Sequence, residues 1–497
     1  MSLAPAANAE DSFQFRGPAG NGVYSESLPK DWNTSKNVRW AIDVPGGGWS
    51  SPVSTGDLVF VTTAVGNGGT RPKGFGEGVQ SMGSFYRSKP PAEPLSFEVH
   101  CLSLTDGNQI WKKQITSRKP PFKIHPSNSY ATESPVTDGT NLYAYFAAVG
   151  VVACLDMEGQ QIWMRELGAY KTGSDFGTGS ALAIHDDLVY VQCDNEEESF
   201  VCALQKTSGE EVWRDGRSRG TSWSSPVIWE NDSRTELVTC GNGIVTSYDP
   251  ASGQILWTLK GAGGAFSASP AFDRQRIYFG QSGRTSRGPL AAVNAGAKGD
   301  LTFNDVGDEA LAWVQDSSAP SMCSPVAVDG LVYVLSRGVL SCHDAESGKR
   351  VYRERLKNAS SVTASLWAAG GNLFALNEAG ETAVIQTGNE FESTGTNSLS
   401  GLFWSTPSAT DSALLIRSAL EALLHRQVRS LILQLTEDVG LKLAWDNQLS
   451  SRPRPTCNRL INTSFESEFT GEQSMAAQYG PDLCSAPLKR RNANHIC

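Results

Sequence analysis

The sequence predicts an all-β fold, an eight-bladed β-propeller of four-stranded antiparallel blades closed by its own N-terminal strand. Three observations predict it. First, a strand–turn–strand pattern ending in an aromatic recurs five times: Asp106-Gly107 leads to Trp111, Asp156 and Gly159 to Trp163, Ser208-Gly209 to Trp213, Asp249 and Gly253 to Trp257, and Asp344 and Gly348 to Tyr352. A polar turn residue can hydrogen-bond the backbone, and glycine accepts the positive φ that closes a short hairpin. Second, a marker of small or hydroxyl residues, often followed by proline, occurs eight times. It stands at Ser50-Ser51-Pro52, Ser134-Pro135, Ser180-Ala181, Ser224-Ser225-Pro226, Ser269-Pro270, Ser324-Pro325, Ala364-Ser365 and Ser405-Thr406-Pro407. Third, β-branched and aromatic runs such as Leu58-Val59-Phe60-Val61-Thr62 and Leu331-Val332-Tyr333-Val334-Leu335 follow the markers, as strands require. Four strands in a repeat of roughly 40–55 residues is the size of a propeller blade.

The chain order refines this picture. Val38 to Val44 reads as a tryptophan-bearing fourth strand, around Trp40, with no blade of its own. The last marker, at Ser405, is followed by Ala413-Leu414-Leu415-Ile416-Arg417 but by no recognisable hairpin. The N-terminal strand is therefore expected to complete the last blade, which removes the exposed edges of an open array. The organisation expected is a tail and lead-in over 1–37, the propeller over 38–419, and an atypical tail over 420–497. In that tail Leu420, Leu423, Leu424, Val428, Leu431 and Leu435 fall at helical spacing, which predicts an amphipathic helix over Leu420 to Leu443. From Asn447 the chain is polar and reads as disordered. The tail is either a genuine extension or a frameshifted end.

Composition narrows the function classes. The formal net charge of -10 over 497 residues argues against general nucleic-acid binding. No apolar stretch reaches the roughly 18 residues of a spanning helix. Ala7-Asn8-Ala9 resembles the cleavage end of a secretory signal whose charged and apolar parts are missing. The ten cysteines contain no C-x-x-C and no adjacent pair, so a zinc cluster is not supported. Cys193 and Cys202 flank a polar turn and read either as two buried thiols or as a disulfide. His343 falls in a hairpin turn and reads as solvated, as do Glu196, Glu197 and Glu198.

The hairpins and markers, in register from Ser50 to Trp404, resemble the pyrroloquinoline-quinone-like (PQQ-like) β-propeller repeat family. The patterns of WD40 and kelch repeats fit less well. The resemblance implies that Trp40, Trp111, Trp163, Trp213, Trp257 and Tyr352 dock between neighbouring blades. Phe15-Arg16-Gly17-Pro18 through Gly22, followed by Trp40, is similar to a branch of exported bacterial propellers. That branch shares its fold with the scaffold lipoprotein of outer-membrane β-barrel assembly and its repeat pattern with quinoprotein alcohol dehydrogenases. It implies a non-catalytic, monomeric scaffold in the periplasm or cell envelope that binds protein partners. The alternative it implies is a quinone-dependent oxidoreductase, with PQQ, a calcium held by Glu, Asn and Asp oxygens, a catalytic Asp and a disulfide between adjacent cysteines. The chain has no adjacent cysteines, and no Glu/Asn/Asp set matches that motif. The expectation is therefore no catalytic residue, no metal and no cofactor.

Two insertions stand out, Gly66 to Phe97 and Lys119 to Tyr130. Long loops on a rigid scaffold are where binding is usually placed. His125, Asn128, Tyr130 and Glu133 are expected near the channel mouth beside Trp49, Trp223 and Trp404. They either form an aromatic and polar ligand patch or pin the insertion by packing and hydrogen bonds. A third reading makes the three tryptophans stacking surfaces for carbohydrate or another small ligand.

Overall fold

The computed structural model describes residues 11–435, except 26, 67–72, 75–88, 263, 284–285, 360, 411–412 and 422–427. All lie in the first of two units, Met1–Leu443; the second, Ala444–Cys497, is outside the described residues. The signal-like Ala7-Asn8-Ala9 and most of the insertion after Gly66 also lie outside them.

Eight sheets follow one another along the chain. The first blade consists of Val53–Thr55, Leu58–Val65, Leu95–Ser103 and Gln109–Arg118 in spatial order. The second to seventh blades repeat this order over 136–166, 183–216, 227–260, 271–315, 326–355 and 367–398. The second and third strands are covered on both faces by neighbouring blades, so they read as continuous apolar runs; Leu188–Cys193 is buried throughout. Outer strands such as Gln161–Glu166 are mostly exposed and carry the polar residues. Two blades gain a fifth, parallel strand. Gly299–Leu301 lies outside Ile255–Lys260 of the fourth, and Val23–Tyr24 lies inside Trp367–Ala369 of the seventh.

The eighth blade joins an N-terminal strand to the last described strands of the chain. Ser408–Thr410, Ala413–Glu421 and Val428–Leu435 are followed in space by Val38–Pro45, with Ile42 opposite Ile432. The N-terminal strand thus closes the ring. The helix expected from Leu420 is corrected here: 420–421 and 428–435 are strand, and the rest of that stretch is outside the described residues. The spacing misled because Leu431-Ile432-Leu433 is a continuous apolar run. A strand buried on both faces produces such a run as readily as a helix does.

A bulge explains how the aromatics reach the next blade. In all eight blades the outer strand slips by one residue just before the aromatic position, at Arg39, Ile110, Ile162, Val212, Leu256, Ala312, Val351 and Thr394. A bulge bends its strand and re-aims the following side chain. Trp40, Trp111, Trp163, Trp213 and Trp313 then lie over Gly107, Gly159, Gly209, Gly253 and Gly348 of the following blade, where a Cβ would stand 2.5–2.8 Å from the ring. Their indole N–H groups donate to the carbonyls of Leu104, Met157, Lys206, Pro250 and Ala345 at 2.7–3.0 Å. The hairpin glycine therefore serves twice, for its positive φ and as the floor under the ring. Trp257 differs: it donates to Glu236 of its own blade and stacks on Phe279 of the next. Tyr352 meets Phe391 edge-on.

The markers have a physical role as well. The hydroxyl just before the proline position accepts a hydrogen bond from the equivalent backbone N–H one blade earlier. Ser134 accepts from Ser51, Ser225 from Ala181, Ser269 from Ser225, Ser324 from Ser269, Ser365 from Ser324 and Thr406 from Ser365. This girdle is broken at Ala181, which has no hydroxyl, and at the seam between the eighth and first blades. At the seam the buried Arg417 donates instead to the carbonyls of Ser50 and Thr62.

Candidate functional site

Each innermost strand starts at its marker and ends at the turn into the second strand. The channel therefore has a strand-start mouth and a turn mouth. The sequence-predicted site residues all belong to the strand-start mouth, and the structure links most of them in one chain. Trp404 stacks on Trp49 at 5.8 Å between ring centroids. Trp49 Nε1 donates to the Ser127 carbonyl, and Ser127 Oγ meets His125 Nδ1 at 2.7 Å. His125 stacks on Phe176 at 4.6 Å, and Phe176 packs edge-on against Trp223.

The polar atoms of this chain are engaged within the fold. Trp404 Nε1 donates to Glu378 and Trp223 Nε1 to the Gly177 carbonyl. Asn128 Nδ2 donates to the carbonyls of Phe176 and Thr178, and its Oδ1 accepts from Thr132 and from the Ser129 amide. Tyr130 Oη donates to the Phe122 carbonyl. Burial holds the His125 imidazole below its usual range. These bonds tie the loop from Lys119 to Tyr130 onto the first three blades.

Glu133 is the exception. It is fully buried, and burial pushes its carboxyl up to about 7. Thr178 and the amides of Glu133, Ala147 and Thr132 favour the charged form, yet neither carboxylate oxygen makes a hydrogen bond of ordinary geometry. Tyr145 and Cys193 lie beside it, and the Tyr145 hydroxyl also lacks a partner of ordinary geometry. Next to them is a cavity of about 20 Å³ lined by Tyr145, Thr178, Gln192, Asn195 and Thr221. Such a volume accommodates about one water molecule. With no surface exposed, Glu133 can hold or release a proton but offers no contact to a substrate at the mouth.

Sequence reasoning missed Phe176, the residue that joins His125 to Trp223. Its only signal is an aromatic between Gly173 and Gly177, ahead of the marker at Ser180. Cys193 and Cys202 are both buried and free. Cys193 lies opposite Phe200 and Cys202 opposite Val191, so the two are offset by two residues. Burial pushes them up to about 11 and about 12 respectively, leaving them protonated near neutrality. His343 is not solvated: it is buried within Val339–Asp344, with Nδ1 3.0 Å from the Gly348 carbonyl.

A quinone with its calcium needs convergent side-chain oxygens. Asn128 Oδ1 is already engaged, Glu133 is buried, and no three His, Cys, Asp or Glu side chains converge on a metal-sized space among the described residues. The described mouth does not fit that group.

Ring, hairpins and docked tryptophans define the class, a PQQ-like β-propeller. A family model described as outer membrane protein assembly factor BamB matches residues 95–281 and 241–411, well over half of the chain, and the chain belongs to that family. BamB from Moraxella catarrhalis is similar in structure, with a TM-score of 0.53 and 13% identity over 81% of this chain and 99% of that one. Quinohemoprotein alcohol dehydrogenase from Comamonas testosteroni gives 0.57 and 10% over 87% and 82%. A europium-containing methanol dehydrogenase gives 0.53 and 10% over 87% and 98%. At these identities the likeness is one of fold. No curated protein matches the sequence. No helix among the described residues is long and apolar enough to cross a membrane.

Proposed function

We propose that the protein is a non-catalytic scaffold outside the cytoplasm that binds protein partners. The observation that carries this reading is the family match over residues 95–281 and 241–411, to a family described by an assembly factor of the outer membrane. The strand-start mouth adds support. Its donors are engaged within the fold, so it offers a pinned, preformed surface, and recognition by such a surface needs little rearrangement. The carbohydrate reading draws less support, because Trp49 is 5% exposed and stacked against Trp404. The oxidoreductase reading has the dehydrogenases among the similar folds on its side, and the engaged Asn128 and buried Glu133 against it.

Affinity capture of the tagged full chain from its native cell envelope, read by mass spectrometry, tests the proposal. Specific protein partners are expected, with no dye reduction when an alcohol, PQQ and calcium are added. Capture of no partner together with alcohol turnover would overturn it.

A further inference from the structure

The ring encloses a channel, and residues 11–25 enter it from the turn mouth. They bond to five of the eight blades. Ser54 N donates to the Ser12 carbonyl and Thr137 N to the Phe13 carbonyl, each at 2.9 Å. The buried Arg16 donates to the carbonyls of Pro270 and Pro325. Val23 and Tyr24 pair in parallel with Ala368 and Ala369. The fifth and sixth blades are thus held through Arg16, and the first, second and seventh through backbone.

The third and fourth blades are not among those five. Among the described residues, nothing pairs with the channel side of their innermost strands, Ala183–His185 and Val227–Glu230. There the turn mouth opens into a hollow of about 540 Å³. Ligand sites typically occupy about 300–1,000 Å³. Phe13 of the plug forms one wall, with Ile184, Ile228 and Phe272 of the blades opposite. At the rim, Arg274 is paired with Asp232 at 2.9 Å, and Asp138 with Lys206 at 3.3 Å. Asp273 caps its own turn through the amides of Gln275 and Arg276. Glu230 is the loosely held charge: its side chain is 71% exposed and 4.0 Å from His185 Nδ1.

We propose that this hollow binds an extended peptide segment of a partner protein. One basic side chain would lie against Glu230, with apolar neighbours on Ile184 and Ile228. Two features select that occupant. An innermost strand with an open edge is a template for another strand, and this chain already fills the corresponding edge of the seventh blade with Val23–Tyr24. The most loosely held charge at the rim is negative, which complements a lysine or arginine and steers it to the site. The inference rests on the scaffold reading and places one contact of that scaffold.

The test is fluorescence anisotropy of the labelled peptide Val-Lys-Val-Lys-Val, capped at both ends, titrated with the full chain. The same peptide with Glu for Lys is the control, and n-butylammonium is the competitor. The basic peptide should bind at least about tenfold more tightly than the acidic one. Glu230→Gln, at an exposed rim position, should weaken it about fivefold with unchanged thermal unfolding, and Ile228→Arg should abolish it. Equal binding of the two peptides, indifference to Glu230→Gln, or displacement by n-butylammonium at the peptide's own concentration would overturn the proposal. Partners captured equally well by Ile228→Arg and by the unaltered chain would leave the scaffold standing and remove this site from it.

Discussion

Glu133 shows what a single buried group can impose on the molecule. Its carboxyl titrates near 7 in the folded chain against an ordinary 4.5, because burial penalises the charged form. The folded state therefore holds the proton more tightly than the unfolded one. The resulting stability is complete below about pH 4.5 and is lost as pH rises through about 7. One pKa unit corresponds to about 1.4 kcal/mol, so the whole window is worth about 3 kcal/mol. Glu133→Gln keeps the shape and removes the titration. Thermal unfolding followed from pH 5 to pH 8 should show the unaltered chain losing stability that the variant retains, with the gap widest at pH 8. Parallel pH profiles for the two proteins would mean that the carboxyl is solvated.

Strand starts supply a sharper comparison. Ser225 Oγ accepts the buried Ala181 N–H at 2.9 Å, whereas Ser51 Oγ, at the seam, is buried with no partner. Losing an acceptor strands a buried donor at about 1–3 kcal/mol, so Ser225→Ala should lower the urea midpoint clearly. Ser51→Ala should move it by less than about 0.5 kcal/mol equivalent. Comparable losses would mean that the girdle adds nothing beyond packing. The marker serines were legible as a repeat because each sits in a local pattern, although the bonds they make cross between blades and leave no local trace. The hairpin glycines were legible for the same reason. The bulge before each aromatic was not, since Ile110, Ile162 and Val212 look like ordinary strand residues until their register is known. The plug was not legible either: Phe13 to Gly22 has no hydrophobic period, and its anchors are backbone carbonyls such as those of Pro270 and Pro325. The mouth lies between. Trp49, His125 and Trp223 were readable as neighbours, but the carbonyls of Ser127 and Gly177 that hold Trp49 and Trp223 carry no side-chain signature.

For the molecule as a whole, the N-terminal segment acts twice, once as the outer strand of the eighth blade and once as the channel plug. Each role includes contacts between residues more than 200 positions apart, as Arg16 with Pro270 and Trp40 with Gln434 show. Such closures cost loop entropy and must be repaid by burial. Trp40 contributes through its bond to Leu104 and its packing over Gly107 of the first blade. A chain beginning at Gly46 would lack both the strand and the plug. It would expose the edge of Val428–Leu435, whose Ile432, Leu433 and Leu435 are buried in the closed ring. An open apolar edge invites pairing with another chain. Size-exclusion chromatography with light scattering should therefore show the shortened chain as oligomers, and the synthetic 38–45 strand added in excess should return part of it to monomer. A shortened chain that stays monomeric with an unchanged urea midpoint would show that the ring does not depend on its N-terminal seam.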